Sequence, residues 1–418
     1  MSGSGTSRRG FLAGAGGLAA GAAAPPVLAA PKPAEAAPKG AAEPFFGAHQ
    51  SGILTPQQSH CYVAAFDIVA ADKAVVAAMM RRWTEASARL MAGLPAQPRE
   101  TDPDAPAGDS GEGVELAPAR LTLTFGFGPG LFVKDGKDRF GLADRRPEAF
   151  VDLPHFPGEQ LVEQWTGGDL MIQACADDPM VPFHAVRQLS RLAYGTAELR
   201  WVQSGFLGHF GKDTPRNLMG FKDGSGNPST ADAGLMDQHV WAGGEAPAWM
   251  LGGTYAVYRR ARMALEHWDR MKVSFQEQTF GRAKYSGAPL GGEREADEID
   301  LDAADPDGNP VISDTAHIRL AAAANNGGAR ILRRSYSYND GVNFVAERWP
   351  PWHQGMEYDA GLIFVCFQRD PRTGFVQINE KLSRFDMMNQ FVTNVGGGLF
   401  ACPRGVEKGG YIGRDLFE

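Results

Sequence analysis

Three kinds of side chain stand in this sequence where they could move a proton, hold an anion or bind a metal. Asp223 lies in Gly220-Phe221-Lys222-Asp223-Gly224, continued by Ser225-Gly226-Asn227-Pro228. A carboxylate presented by a glycine-rich turn can serve as a base. His317, in Asp314-Thr315-Ala316-His317-Ile318-Arg319-Leu320, offers an imidazole, a common metal ligand. Arg333 lies in Ile331-Leu332-Arg333-Arg334-Ser335-Tyr336-Ser337-Tyr338. Strand alternation sends Arg333 and Arg334 to opposite faces, so one can turn inward while the other is solvated. An inward guanidinium needs an anion. Leu362-Ile363-Phe364-Val365-Cys366-Phe367 is an apolar strand. Singly, each segment has an ordinary explanation: a turn, one of nine histidines, a surface pair on an edge strand, a piece of core.

The elements that would position these groups fall into two halves. Residues 60–70 read as a buried strand, and Val76, Met79, Met80, Trp83, Leu90 and Met91 recur at helical spacing. Strands follow at 120–127 and 169–175, a helix at 182–192 and a strand at 198–203. That order, β-α-β-β-α-β, is the ferredoxin-like unit. The second half predicts a strand at 253–259, a helix at 264–280, strands at 331–338 and 361–368, and a helix at 380–395. Asp223 falls between the halves, in a loop-rich stretch from 205 to 248, where ligand sites tend to lie. The segments 95–117 and 287–316 read as long loop excursions.

Bulk properties narrow the classes. The 418 residues suggest two domains, with 43% apolar and 22% charged residues, ordinary for a globular chain. The net charge is −8; residues 1–40 carry +3 (Arg8, Arg9, Lys32 and Lys39 against Glu35), leaving about −11 for the rest. So acidic a body argues against nucleic-acid binding. Cys61, Cys175, Cys366 and Cys402 stand far apart without CxxC or CxxCH spacing, which excludes a zinc knuckle, a thioredoxin-type dithiol and covalent haem attachment. One or two disulfides stay open, in no deducible pairing. Ser7-Arg8-Arg9-Gly10-Phe11-Leu12, ahead of a dilute Ala/Gly run broken by Pro25 and Pro26, matches a twin-arginine export signal. The expected layout is a signal and spacer at 1–43, an N-terminal domain at 44–240 and a C-terminal domain at 241–418.

Taken in order, the segments resemble the dye-decolourising haem peroxidase family, and within it the exported deferrochelatase branch. Phe45-Phe46-Gly47 with Gly52-Ile53-Leu54-Thr55-Pro56, then Leu121–Gly128, Gly220–Pro228, the His317 segment, Leu332–Tyr338 and Gly361–Gln368 carry the resemblance over nearly the whole chain after the signal. It implies an α+β fold of two ferredoxin-like domains with a pocket between them for one non-covalent haem b. By the same resemblance His317 is the proximal iron ligand, and Asp223 and Arg333 are the catalytic pair opposite. Gly224, Ser225 and Gly226 form a loop contacting the haem, with Leu362 and Phe364 as the apolar wall. Asp386 or Glu380 would hold the second nitrogen of His317. Ala322-Ala323-Ala324 departs from the branch, which carries Asn-Pro-Arg there, so Arg319, Arg330 or Arg333 would have to meet a propionate.

The implied activity is reduction of hydrogen peroxide with oxidation of organic reductants. The branch adds release of iron from haem with the porphyrin intact, in the periplasm, alongside an iron-uptake permease, by a homo-oligomer (a dimer) exported through the twin-arginine translocon. A carboxylate of ordinary pKa about 3.9 stays a base in acid, where a histidine of about 6.5 is protonated, so an acidic optimum is expected. A non-catalytic periplasmic haem or iron carrier is the alternative, needing His317 but not Asp223 and Arg333.

Overall fold

The computed structural model describes residues 41–208, 214–346 and 354–418. The twin-arginine motif lies outside the described residues.

The first half begins with β1 (His60–Ile68), whose alternate side chains are buried on both faces. Helix α1 (Lys73–Met91) starts where Asp72 accepts the Ala74 N–H at 2.8 Å, and it buries Val76, Met79, Met80, Trp83, Leu90 and Met91, the residues its spacing singled out. Next come β2 (Thr122–Phe127), β3 (Leu170–Ala176), α2 (Met180–Leu192), β4 (Ala197–Phe206) and the short α3 (Ala233–His239). The strands bond in the order β4-β1-β3-β2.

The second half holds β5 (Thr254–Met263), α4 (Leu265–Trp268), α5 (Val273–Phe280), α6 (His317–Ala321), β6 (Leu332–Arg333), β7 (Tyr336–Ala346), β8 (Gln354–Gln368), α7 (Gln377–Phe385), β9 (Val392–Cys402) and α8 (Arg414–Phe417). Its strands bond in the matching order β9-β5-β8-β7. Leu332 opposite Phe367 and Tyr336 opposite Ile363 keep one register, so β6 and β7 are a single strand interrupted at Arg334 and Ser335.

Two narrow seams, Phe127 opposite Ala401 and Phe206 opposite Ser337, join the sheets into a closed barrel. Its interior is filled by Cys61, Val63, Ala65, Met171, Cys175, Trp201, Tyr258, Tyr336, Tyr338, Ile363, Val365, Phe367 and Phe400. Closure removes open edges, and residues 37–418 form one compact unit rather than two bodies.

Two expected helices are corrected. The 264–280 helix is broken into α4 and α5, because Lys272 is extended (φ −60, ψ 145) and the Trp268 indole is tied to the Met219 carbonyl at 3.0 Å. The 380–395 helix stops at Phe385, where Asp386 turns extended and caps a short 3-10 turn by accepting the Met388 N–H at 2.8 Å. Beyond it lies β9, absent from the sequence reading. Three glycines, Gly396 to Gly398, give it poor strand propensity. They are needed there: a Cβ on Gly397 (φ +129) would lie 1.9 Å from the Tyr258 carbonyl oxygen of β5.

Candidate active site

His317 opens α6, which is held beside α5 and the turn after α7. Its Nδ1 lies 2.6 Å from Asp386 Oδ2, and Asp386 is buried with its other oxygen on the Met388 N–H. The carboxylate makes Nδ1 the protonated nitrogen, leaving Nε2 with a lone pair and no hydrogen bond among the described residues. Of the two acceptors expected, it is Asp386, not Glu380, that meets the ring. Phe280 stands 6.3 Å from the imidazole, centroid to centroid, and stacks face to face on Phe221 at 4.0 Å. Phe221 belongs to the Gly220–Gly224 turn, so this aromatic pair ties the histidine to the segment that carries Asp223.

The turn is a small hairpin in which the Asp223 N–H donates to the Pro215 carbonyl at 2.8 Å. Gly220, Gly224 and Gly226 all have positive φ, and the one that matters most is Gly224 (φ +133), a conformation essentially closed to other residues. Asp223 Oδ1 lies 3.5 Å from Arg333 Nη1, and Arg333 Nη2 donates to the Ser225 carbonyl at 2.9 Å. Asn227 clamps the Arg333 backbone from both sides: its Nδ2 donates to the Arg333 carbonyl and its Oδ1 accepts the Arg333 N–H, both at 2.9 Å.

The loop beyond α5 folds back to complete the cradle. Glu295 accepts from Ser225 Oγ at 2.8 Å and Lys222 Nζ at 2.6 Å. Burial opposes its ionisation, but these donors hold its pKa below the usual carboxylate range.

Sheet register puts the apolar wall on the same side. Arg333 pairs with Cys366, and Leu362 and Phe364 follow at two-residue steps, so all four point to one face of β8. Leu362 and Phe364 are half-buried, while the intervening Ile363 and Val365 are buried in the barrel. Leu362 packs against the cluster that contains Phe221, Phe280, Trp268 and Phe391, and Phe364 lies beside Phe375 at 5.9 Å. Arg334 points the other way and is the deeply buried one; among the described residues it has no carboxylate partner but donates to the Thr55 carbonyl and Gln58 Oε1. Arginine does turn inward here, but not the one beside Asp223.

The structure thus gathers Asp223, Arg333, Gly224 and Ser225 into one hydrogen-bonded group, and links His317 to it through Phe280, Phe221 and Leu362. Gly226 lies in the same turn but presents no contact to it. Among the residues proposed to meet a propionate, Arg319 is committed to the carbonyls of Ile312 and Leu301 at 2.9 and 2.7 Å, and Arg330 is exposed. Asn227, Phe280 and Glu295 were not singled out from sequence. Asn227 lies in the quoted Ser225–Pro228 run, but Glu295 comes from a loop with no periodicity to mark it. A cavity of about 990 Å3 lined by His49, Trp241, Arg369 and Tyr411 contains none of these groups; it is a cleft without their donor chemistry.

A free imidazole nitrogen, half-buried apolar side chains and a carboxylate–guanidinium pair fit a haem with its iron on His317. Comparison with known proteins bears on the family and on haem binding, not on the ligand residue. The sequence matches the description "Dyp-type peroxidase, N-terminal" over residues 50–207 and "Dyp-type peroxidase, C-terminal" over 214–407. The chain belongs to the Dyp-type peroxidase family and is an enzyme, a haem-binding peroxidase. It is 37% identical to the deferrochelatase of Escherichia coli (strain K12) over 387 residues, 90% of this chain and 87% of that one. It is also similar to ferric DtpA from Streptomyces lividans (39% identity, TM-score 0.80, covering 90% of this chain and 97% of that one) and to a DyP-type peroxidase from Cellulomonas bogoriensis (37%, 0.79, 90% and 98%).

Proposed function

We propose that the protein binds one haem b non-covalently, with His317 Nε2 as the iron ligand, and reduces hydrogen peroxide while oxidising organic donors. The contact that carries this reading is Asp223 with Arg333 at 3.5 Å, on the face that also bears Leu362 and Phe364. The haem supplies the redox chemistry; the chain supplies proton and charge. Asp223 takes the proton from one peroxide oxygen and returns it to the departing one, and Arg333 stabilises negative charge on that oxygen. Asp386 keeps His317 in one tautomer and orientation. Gly224, Ser225 and Gly226 would let the backbone approach the haem, and Leu362 and Phe364 would exclude water from it.

Asp223→Asn and Arg333→Leu are expected to retain the Soret band and to lose about 100- to 10,000-fold in peroxidase kcat. The wild-type rate should peak in acid. Retention of full rate by either variant would show the catalytic assignment of Asp223 and Arg333 to be wrong.

We further propose, from the likeness to deferrochelatases, that it releases iron from haem with the porphyrin preserved. Protoporphyrin fluorescence developing from haem in acid is the readout, and its absence removes this second activity. The matching strand orders support two ferredoxin-like halves, 44–240 and 241–418. Arg8-Arg9 supports export to the periplasm by the twin-arginine translocon, where a homodimer would serve an iron-uptake permease.

A further inference from the structure

The barrel interior holds a group of reactive side chains that the peroxidase chemistry leaves unused. Cys61 on β1 stands directly opposite Cys175 on β3, and both are free thiols with 2% and 0% exposure. Directly opposed residues in antiparallel strands have Cα atoms about 4.5–5.5 Å apart, inside the range of about 4.4–6.8 Å that a disulfide requires. Both belong to the one buried cluster that fills the barrel. Against them lies Arg334, a buried cation with no carboxylate partner among the described residues. Its Nη atoms are taken by Thr55 O and Gln58 Oε1, but Nε has no hydrogen-bond partner among the described residues. The guanidinium lies within electrostatic reach of Tyr336 and of the Cys175 and Cys61 sulfurs.

We propose that Cys61 and Cys175 are a redox-active pair that a hydroperoxide converts into a cross-strand disulfide inside the barrel, with Arg334 activating the Cys175 sulfur. A buried guanidinium needs an anion, and Cys175 can be that anion. Burial alone would oppose ionisation, as it does at Cys366, whose pKa is pushed up to about 12. At Cys175 donation from Cys61 and the charge of Arg334 overcome burial and bring the pKa down to about 6, while Cys61 keeps the proton.

The steps balance. The Cys175 thiolate attacks one peroxide oxygen, forming an S–O bond as the O–O bond breaks, and the leaving hydroxide takes a proton to become water. The Cys61 sulfur then attacks the Cys175 sulfenic sulfur, forming the S–S bond and releasing a second water. Two thiols are oxidised by two electrons and one peroxide is reduced. A polar file leads inward from the barrel end: Asp340, which is partly exposed, binds Arg260 at 2.8 Å, and Arg260 lies over the Tyr338 ring at 4.4 Å. Tyr338 is followed two residues along β7 by Tyr336, at the thiols.

The test uses the haem-loaded protein, reduced and then pulsed with hydrogen peroxide. After quenching it is denatured, alkylated and mapped by mass spectrometry. A Cys61–Cys175 linked peptide, reversed by reductant, with Cys366 and Cys402 alkylated, is the expected result. In Cys61→Ser a dimedone adduct should form at Cys175, and in Cys175→Ser none should form at Cys61. Alkylation of both cysteines after the pulse, oxidation to sulfinic acid without linkage, or linkage to Cys366 or Cys402 would each overturn the proposal. None of these outcomes bears on Asp223 and Arg333, which the peroxidase rate reports separately.

Discussion

At the scale of single residues, what Nε2 of His317 can do is decided by what holds Nδ1. Asp386 is buried and bonded through both oxygens, one to the imidazole at 2.6 Å and one to the Met388 N–H at 2.8 Å, so it cannot swing away without uncapping a turn. On the proposed ligation, an acceptor this firm would make the imidazole a stronger donor to iron and fix its plane. Asp386→Asn should therefore lower haem affinity or peroxidase activity about 10- to 100-fold, with a shifted Soret or ferric charge-transfer band. A variant with wild-type spectrum and turnover would show the contact to be merely structural. At this scale the sequence was informative about residue types and less so about choices. Asp386 and Glu380 were equal candidates on a supposed continuous helix, and only the break at Asp386 separates them. Arg333 and Arg334 were known to face apart, but which faced inward depended on register with β8. That register is set by partners more than twenty residues away, beyond the reach of local alternation.

Elements tell a different story, because two loops without periodicity prove to be clamps. The 287–316 segment supplies Glu295, which fixes Ser225 and Lys222. The 95–117 segment docks on α2 through His184, whose ring nitrogens lie 3.4 Å from Asp109 Oδ2 and 3.2 Å from Glu112 Oε1, with Arg187 at 3.1 Å from the other Glu112 oxygen. Burial opposes ionisation of Glu112, but Ser110, its own backbone and His184 outweigh it and bring its pKa down to about 2, from an ordinary 4.5. A folded-state pKa below the unfolded one stabilises at pH above the unfolded value and ceases to do so as pH falls through the folded one. The docking contribution is thus complete above about pH 4.5 and is lost toward about pH 2. Hydrogen exchange of residues 95–117 should accelerate across that window in the wild type and less steeply in Glu112→Gln. Protection that is flat to pH 2 would mean the apolar contacts alone hold the loop. Sequence showed these segments only as long gaps between periodic runs, since isolated polar contacts leave no period.

For the whole molecule, the strand order within each half was foreshadowed by β-α-β-β-α-β grammar, but the closed barrel was not. Its seams are single residue pairs, Phe127 with Ala401 and Phe206 with Ser337, too slight to leave a pattern. The consequence is thermodynamic. One face of each half's sheet is finished only by the other half: Cys61, Val63, Ala65, Met171 and Cys175 from the first meet Ala256, Tyr258, Tyr336, Ile363, Val365 and Phe400 from the second in one buried cluster. Separation would expose this face, a contiguous apolar patch of a kind soluble monomers rarely carry. The two halves expected from sequence grammar, on either side of 240, should therefore depend on each other for stability. Residues 44–240 and 241–418, expressed alone, should be aggregated or bind a hydrophobic dye without a cooperative unfolding transition, and co-expression should restore a soluble complex. A first half that unfolds alone as a soluble monomer in one sharp transition would refute this, because its interior face would then be stable in water without Tyr258, Tyr336 and Phe400 against it.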